Sequence, residues 1–153
     1  MKHYVLPLHL RRFCQLLTKP PVRINSHGLS YTQFEFSELS VSPKEVSVCV
    51  LNTGSIVGAT VVQVYISPSP TNSISRPIKE LKGFAKVFLD SCECQDVVIK
   101  LDRLSTSFWD ETLGCWVSEK GIYGVHVGHS SADIVLSGSL EVEETTTWTG
   151  LDM

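Results

Sequence analysis

Val46-Ser-Val-Cys-Val-Leu-Asn-Thr-Gly54-Ser-Ile-Val-Gly58-Ala-Thr-Val-Val-Gln-Val-Tyr-Ile66 reads as two β-strands and the turn that separates them. Val46, Val48 and Val50 alternate with Ser47 and Cys49. That period of two lays one side of an extended chain against a core and turns the other to water. Asn52-Thr53-Gly54 then supplies turn chemistry. After Gly58, Val62, Val64 and Ile66 share one face while Val61, Gln63 and Tyr65 share the other, so the second strand is expected at the centre of a sheet.

The same grammar extends in both directions. Upstream, Phe34 and Phe36 alternate with Gln33 and Glu35. Downstream, a polar, proline-bearing loop through Pro77 leads to apolar runs at Leu81 to Leu89, Val97 to Leu101, Phe108-Trp109, Cys115 to Val117, Ile122 to Val127 and Ile134 to Val142. Turn residues recur every 8–12 positions or so, no helical periodicity interrupts them, and no fixed repeat is present. Eight or nine short strands in one chain of 153 residues predict an all-β sandwich of two antiparallel sheets. Trp109, Trp116, Phe84 and Tyr123 are expected to dominate its core, since each ring can bury about 150–250 Å². Tyr31 and Phe34 are expected to anchor the first strand.

Charge narrows the class of partner. The net charge is -3, but residues 1–24 hold five basic residues and no acid, which leaves 8 basic and 16 acidic residues in the remainder. An acidic body without a basic, aromatic-laced patch excludes nucleic acid as the expected partner. No apolar run approaches the roughly 20 residues of a spanning helix, so no membrane partner is expected. Residues 1–24, with Pro7 and His9 inside a short apolar stretch, Arg11-Arg12 after it and Pro20-Pro21 at its end, make a poor signal peptide. They are read as an unassigned basic extension, disordered or weakly helical, residues 27–145 as the sandwich, and 146–153 as a flexible tail. Localisation is left unassigned.

Candidate chemistry is sparse. Five scattered cysteines, Cys14, Cys49, Cys92, Cys94 and Cys115, do not form a disulfide framework. Cys92-Glu-Cys94 and His126-Val-Gly-His129 each supply half of a metal site without the remaining ligands a tetrahedral centre requires, so no metal or other cofactor is expected. Asp110-Glu111 and Glu143-Glu144 are sequence neighbours, which point to opposite faces of a strand and cannot flank one scissile bond. Ser30, Ser105 and His27 lack the oriented third member of a nucleophilic triad. No catalytic residue is assigned.

His27-Gly-Leu-Ser-Tyr-Thr32, with Phe34 and Phe36 after it, resembles the entry into the fibronectin type III-like domain that closes family 3 glycoside hydrolases, chiefly β-glucosidases and β-xylosidases. Further blocks follow in the same order: Val46 to Gly54, Gly58 to Tyr65, Arg76-Pro-Ile-Lys-Glu-Leu-Lys-Gly-Phe84, Lys86 to Leu89, Leu104-Ser-Thr-Ser-Phe-Trp-Asp110 and Gly128-His-Ser-Ser-Ala-Asp-Ile134. On this resemblance His27, Gly28, Leu29, Ser30, Tyr31, Phe34, Gly83, Phe84, Phe108 and Trp109 are structural positions. Gln63, Tyr65, Arg76, Lys79, Glu80 and Lys82 lie on the face or loops that would dock against catalytic domains. Three departures stand out: Asn25-Ser26 where the family usually has Pro-Phe-Gly, Cys92-Glu-Cys94 where it has Pro-Gly-Glu, and His129 in place of a small polar residue.

The resemblance implies an all-β, immunoglobulin/fibronectin type III-like antiparallel sandwich and a role but no active site. The family's catalytic carboxyls come from a barrel and a second α/β domain, and a barrel alone needs about 250 residues. The expectation is a non-catalytic accessory domain, present as a fragment or truncated gene product, whose partner is the catalytic part of a β-glucosidase-like enzyme. The alternative is a free-standing carbohydrate- or protein-binding sandwich, for which Trp148 and Tyr65 are the sugar-stacking candidates.

Overall fold

The computed structural model describes residues 31–68 and 76–150. The extension 1–24 and the motif residues His27, Gly28, Leu29 and Ser30 lie outside the described residues. Among the described residues ten strands follow in order: β1 Phe34–Val41, β2 Glu45–Asn52, β3 Gly58–Ser67, β4 Glu80–Leu89, β5 Cys94–Lys100, β6 Phe108–Asp110, β7 Cys115–Ser118, β8 Gly121–Ser130, β9 Asp133–Val142 and β10 Thr146–Trp148. A 3-10 turn at Arg103–Ser105 follows β5.

A three-stranded sheet, β1-β2-β5, faces a four-stranded sheet, β4-β3-β8-β9, and a smaller sheet, β10-β7-β6, stands beside them. Every pairing is antiparallel. As expected, β3 is interior to its sheet, with β4 on one side and β8 on the other.

The inner faces follow the alternation read from the sequence. Val46, Val48 and Val50 from β2 meet Val62, Val64 and Ile66 from β3, closed by Val97 and Ile99 of β5 and by Tyr123, Val125 and Val127 of β8. Burying a Val, Leu, Ile or Phe side chain contributes about 1.5–3 kcal/mol. The β-branched inner rows therefore supply most of the driving force.

Two polar devices sit within this apolar layer. Asn52, fully buried at the end of β2, accepts from the Thr32 hydroxyl at 2.6 Å and from Gly54 N at 3.0 Å. Its amide nitrogen donates to Ile56 O at 2.9 Å and Leu89 O at 3.1 Å. Tyr123 donates its hydroxyl to Glu119 O at 2.9 Å. This is the tyrosine corner of immunoglobulin-like sandwiches, in which a buried ring near the start of a strand ties back to the preceding turn.

The core differs from expectation in its large rings. Tyr123 is fully buried, but Phe84 is 70% exposed and Trp109 is 47% exposed, while Trp116 is half-buried. On β4 the inward positions belong to Ala85, Val87 and Leu89, so Phe84 must face out. The sheets also approach closely at Gly83, where a Cβ would overlap the Ile99 side chain, so no ring fits between them there. Trp109 and Trp116 are on the small third sheet, outside the sandwich. Tyr31 precedes β1 and is 91% exposed, so the first strand is anchored by Phe36, with Phe34 packed against the core edge. Thr146–Trp148, expected in a flexible tail, form β10 on β7.

Candidate docking surface

From Phe84 onward β4 alternates Phe84, Lys86 and Phe88 with Ala85, Val87 and Leu89, so its outer side carries two phenyl rings with a lysine between them. In register these outer residues lie beside Gln63, Val61 and Ala59 of β3. Phe88 is 67% exposed, and the Lys86 ammonium lies 4.8 Å from its ring centroid. Two exposed phenyls on one strand face, with the Lys86 stem between them, make an apolar patch of the kind that marks partner sites. Beside it a shallow cleft opens between edge strands β4 and β5, lined by Leu81, Phe84 and Val98 with Lys82 and Lys100 as its charged members.

A register shift between Val64 and Tyr65 changes the side chain order on β4 before Gly83, and it turns Glu80 and Lys82 toward the segment after β5. Lys82 Nζ meets Glu80 Oε2 at 2.9 Å and donates to Leu104 O at 3.1 Å. The Arg76 guanidinium donates to Thr106 O at 3.3 Å and Ser107 O at 3.4 Å, lies 3.6 Å from Glu80, and covers the Phe108 ring at 5.0 Å. The structure thus brings Arg76, Glu80 and Lys82 together as a clamp on residues 104–108. It leaves Lys79 apart from that clamp's hydrogen bonds and ion pairs.

Gln63 and Tyr65 occupy the outer face of β3. The Tyr65 hydroxyl donates to Gln63 Oε1, and Gln63 Nε2 donates to His129 O at 2.7 Å. Next to them His126 holds Ser67 Oγ and Ser137 Oγ, each at 3.0 Å, through its two ring nitrogens. Burial lowers the His126 pKa below the usual imidazole value, helped by the Lys79 charge. His129 packs against the Phe36 ring at 4.2 Å and contacts Thr60 Oγ1 at 3.3 Å. Its pKa is also lowered by burial, against an opposing pull from Asp133. Both rings belong to packed networks, and among the described residues no group of three or more His, Cys, Asp or Glu side chains is placed to hold a metal.

On the third sheet the chain's three tryptophans fall into one row: Trp148 pairs with Trp116, and Trp116 with Trp109. Trp109 and Trp116 meet edge to face at 5.6 Å, and the Arg103 guanidinium lies 5.1 Å from the Trp148 ring. This row was not foreseen, because it depends on a distant tail segment adding to β7. Tyr65, the other sugar-stacking candidate, is buried.

Among the described candidates, Asp110 and Ser105 are engaged in local structure, while Ser30 and His27 lie outside the described residues. Asp110 accepts from Thr112 N at 2.8 Å and Leu113 N at 3.0 Å, shaping the turn into β7. Ser105 exchanges hydrogen bonds with Asp102 in a capping box on the 3-10 turn. Glu143 and Glu144 sit exposed in the link between β9 and β10.

Comparison with known proteins agrees with this architecture. Residues 60–131 match the family model described as the fibronectin type III-like domain. The chain carries a fibronectin type III-like domain. It is similar to a protein named "Probable beta-glucosidase K" of Emericella nidulans, 52% identical over 126 residues, which covers 82% of this chain and 15% of that protein. Among solved structures, a beta-glucosidase from Kluyveromyces marxianus superposes with a TM-score of 0.75 at 41% identity, covering 93% of this chain and 18% of that one. Beta-glucosidase 3B from Thermotoga neapolitana, in complex with alpha-D-glucose, does so with a TM-score of 0.74 at 37% identity, covering 82% and 18%. This fibronectin type III-like chain thus spans about one sixth of the relatives it matches.

Proposed function

We propose that this fibronectin type III-like domain is a non-catalytic accessory unit, and that its partner is the catalytic part of a β-glucosidase-like glycoside hydrolase. The observation that carries this reading is the Phe84-Lys86-Phe88 ridge on the outer side of β4: two large apolar side chains turned to solvent on a sheet whose other face is a well-filled core. Similarity to beta-glucosidases over a small part of their length supports it, because most of each such protein lies outside the part that this chain matches. The role is structural. Covering the ridge removes both rings from water, at about 25 cal/mol per Å² of apolar surface. Gln63, next to the ridge, would frame the contact with the buried Tyr65 holding its carboxamide, Lys79 would extend it, and the Arg76-Glu80-Lys82 clamp would hold the loop beside it in shape.

The test is complementation. The catalytic part of the Kluyveromyces marxianus beta-glucosidase, prepared without its own matching segment, is mixed with this chain. Recovery of solubility, thermal stability and aryl-glucoside hydrolysis is the expected result, with no hydrolysis by this chain alone. No recovery, or turnover by the chain alone, contradicts the reading.

A second reading, a carbohydrate-binding module, is favoured by one observation, the Trp109-Trp116-Trp148 row with Arg103 beside it. Indole faces stack on the apolar faces of pyranose rings, and a guanidinium donates to hydroxyls. Retention on insoluble β-glucan that is lost in both Trp109→Ala and Trp148→Ala supports this second reading, and elution in the void with wild type removes it.

A further inference from the structure

Cys49 and Cys94 face each other diagonally across the β2–β5 pair. In register Cys49 lies opposite Asp96, and Leu51 lies opposite Cys94. Val48 and Val50 of β2 and Val97 and Ile99 of β5 point into the core, so Cys49 and Cys94 share the outer face of the three-stranded sheet. Both are half-buried and neither is in a disulfide. The two side chains are near enough to act on each other: burial, and after it the neighbouring Cys94, push the Cys49 thiol up to about 11. Cys92 is placed differently, in the tight turn before β5 with a positive φ of 58°.

We propose that Cys49 and Cys94 are an oxidation site that closes to a cross-strand disulfide in the presence of a low-molecular-weight disulfide such as glutathione disulfide. The Cys94 thiolate attacks one sulfur of glutathione disulfide, forming a mixed disulfide and releasing one glutathione thiolate. Cys49 then gives up its proton and attacks the Cys94 sulfur, releasing the second glutathione. Two protein thiols lose two electrons and two protons, and the oxidant becomes two thiols. The raised Cys49 pKa keeps its thiolate fraction small, so this second step is slow near pH 7 and quickens as pH rises toward 9.

The bridge is a reversible one. Diagonal neighbours in an antiparallel pair lie about 7–8 Å apart, with their Cβ atoms somewhat closer, whereas disulfides hold Cα atoms about 4.4–6.8 Å apart. Closing it draws β2 and β5 together locally, and disulfides under strain are the more easily reduced. The site lies on the sheet opposite to the Phe84-Phe88 ridge, so it stands independently of the docking reading.

The experiment incubates the fully reduced chain with excess glutathione disulfide at pH 8, then alkylates and maps peptides by mass spectrometry. The expected product has lost two hydrogens and two alkylatable thiols, carries a Cys49–Cys94 linked peptide, and reverts with dithiothreitol. Cys49→Ser and Cys94→Ser each abolish it, Cys49→Ala and Cys94→Ala do the same, and Cys92→Ser leaves it, with circular dichroism confirming that all are folded. A stable glutathione adduct without closure, retention of both alkylatable thiols, or a link that excludes either residue overturns the proposal.

Discussion

The Thr32 hydroxyl donates to the Asn52 carboxamide oxygen across 2.6 Å, joining the segment before the first strand to the end of the second. Asn52 also holds Gly54 N, Ile56 O and Leu89 O, so one buried side chain ties the entry segment, the β2–β3 turn and the end of β4. Removing it strands several buried polar groups at once, each costing about 1–3 kcal/mol. Asn52→Ala is expected to lose about 3 kcal/mol and Thr32→Val about 1 kcal/mol. Urea unfolding with an unchanged slope and a shifted midpoint checks both.

Tyr123→Phe keeps the buried ring and deletes only the hydroxyl bonded to Glu119 O. It is expected to cost about 1 kcal/mol, the net worth of one buried hydrogen bond. Tyr123→Ala adds a cavity, and is expected to cost about 3–5 kcal/mol. A thermal melt of the pair separates the tie from the packing.

Gly128 sits at a register shift between β8 and β9, where a Cβ would overlap the Asp133 carbonyl. The obstacle is backbone, which cannot swing aside as a side chain can. Gly128→Ala is expected to cost at least about 1–3 kcal/mol, the range for overpacking, while Gly114→Ala, in open space with a φ of 62°, acts only through backbone strain. Melting temperatures of the two variants should rank in that order, with Gly128→Ala the lower.

His126 and His129 have folded pKa values below the usual imidazole value, chiefly through burial. The unfolded chain then binds more protons than the folded one in this window, so their contribution to stability is full above about pH 6.5 and is lost as pH falls toward their folded values. Melting temperature is expected to drop between pH 7.5 and pH 5.5, before most carboxylates titrate. His129→Gln should flatten part of that slope, and an unchanged slope would contradict it.

Much of the sandwich was legible because its inner rows obey a strict period. Val46, Val48 and Val50 could sit only on one face, and β3, apolar on both faces, could only be interior. The large rings were misplaced because size was weighed above position. In Phe84-Ala-Lys-Val-Phe-Leu89 the lysine shares its parity with both phenylalanines, which marks that face as the outer one. The place of Trp148 in the tryptophan row and the Cys49–Cys94 pair stayed hidden for another reason: each is created by pairing between segments far apart in the chain, which no local pattern encodes. For Arg76, Glu80 and Lys82 the sequence showed the charges but not the register shift that turns them onto residues 104–108.

The central claim concerns the exposed ridge on β4, and equilibrium binding tests it most directly. Wild type and a Phe84→Ser/Phe88→Ser double variant are titrated calorimetrically into the Kluyveromyces marxianus catalytic part lacking its own matching segment. These side chains lie outside the core, so both proteins should melt within a few degrees of each other. The account predicts a one-to-one complex with wild type and at least a tenfold weaker one with the double variant. Equal affinities for the two, or no complex with wild type, would contradict it.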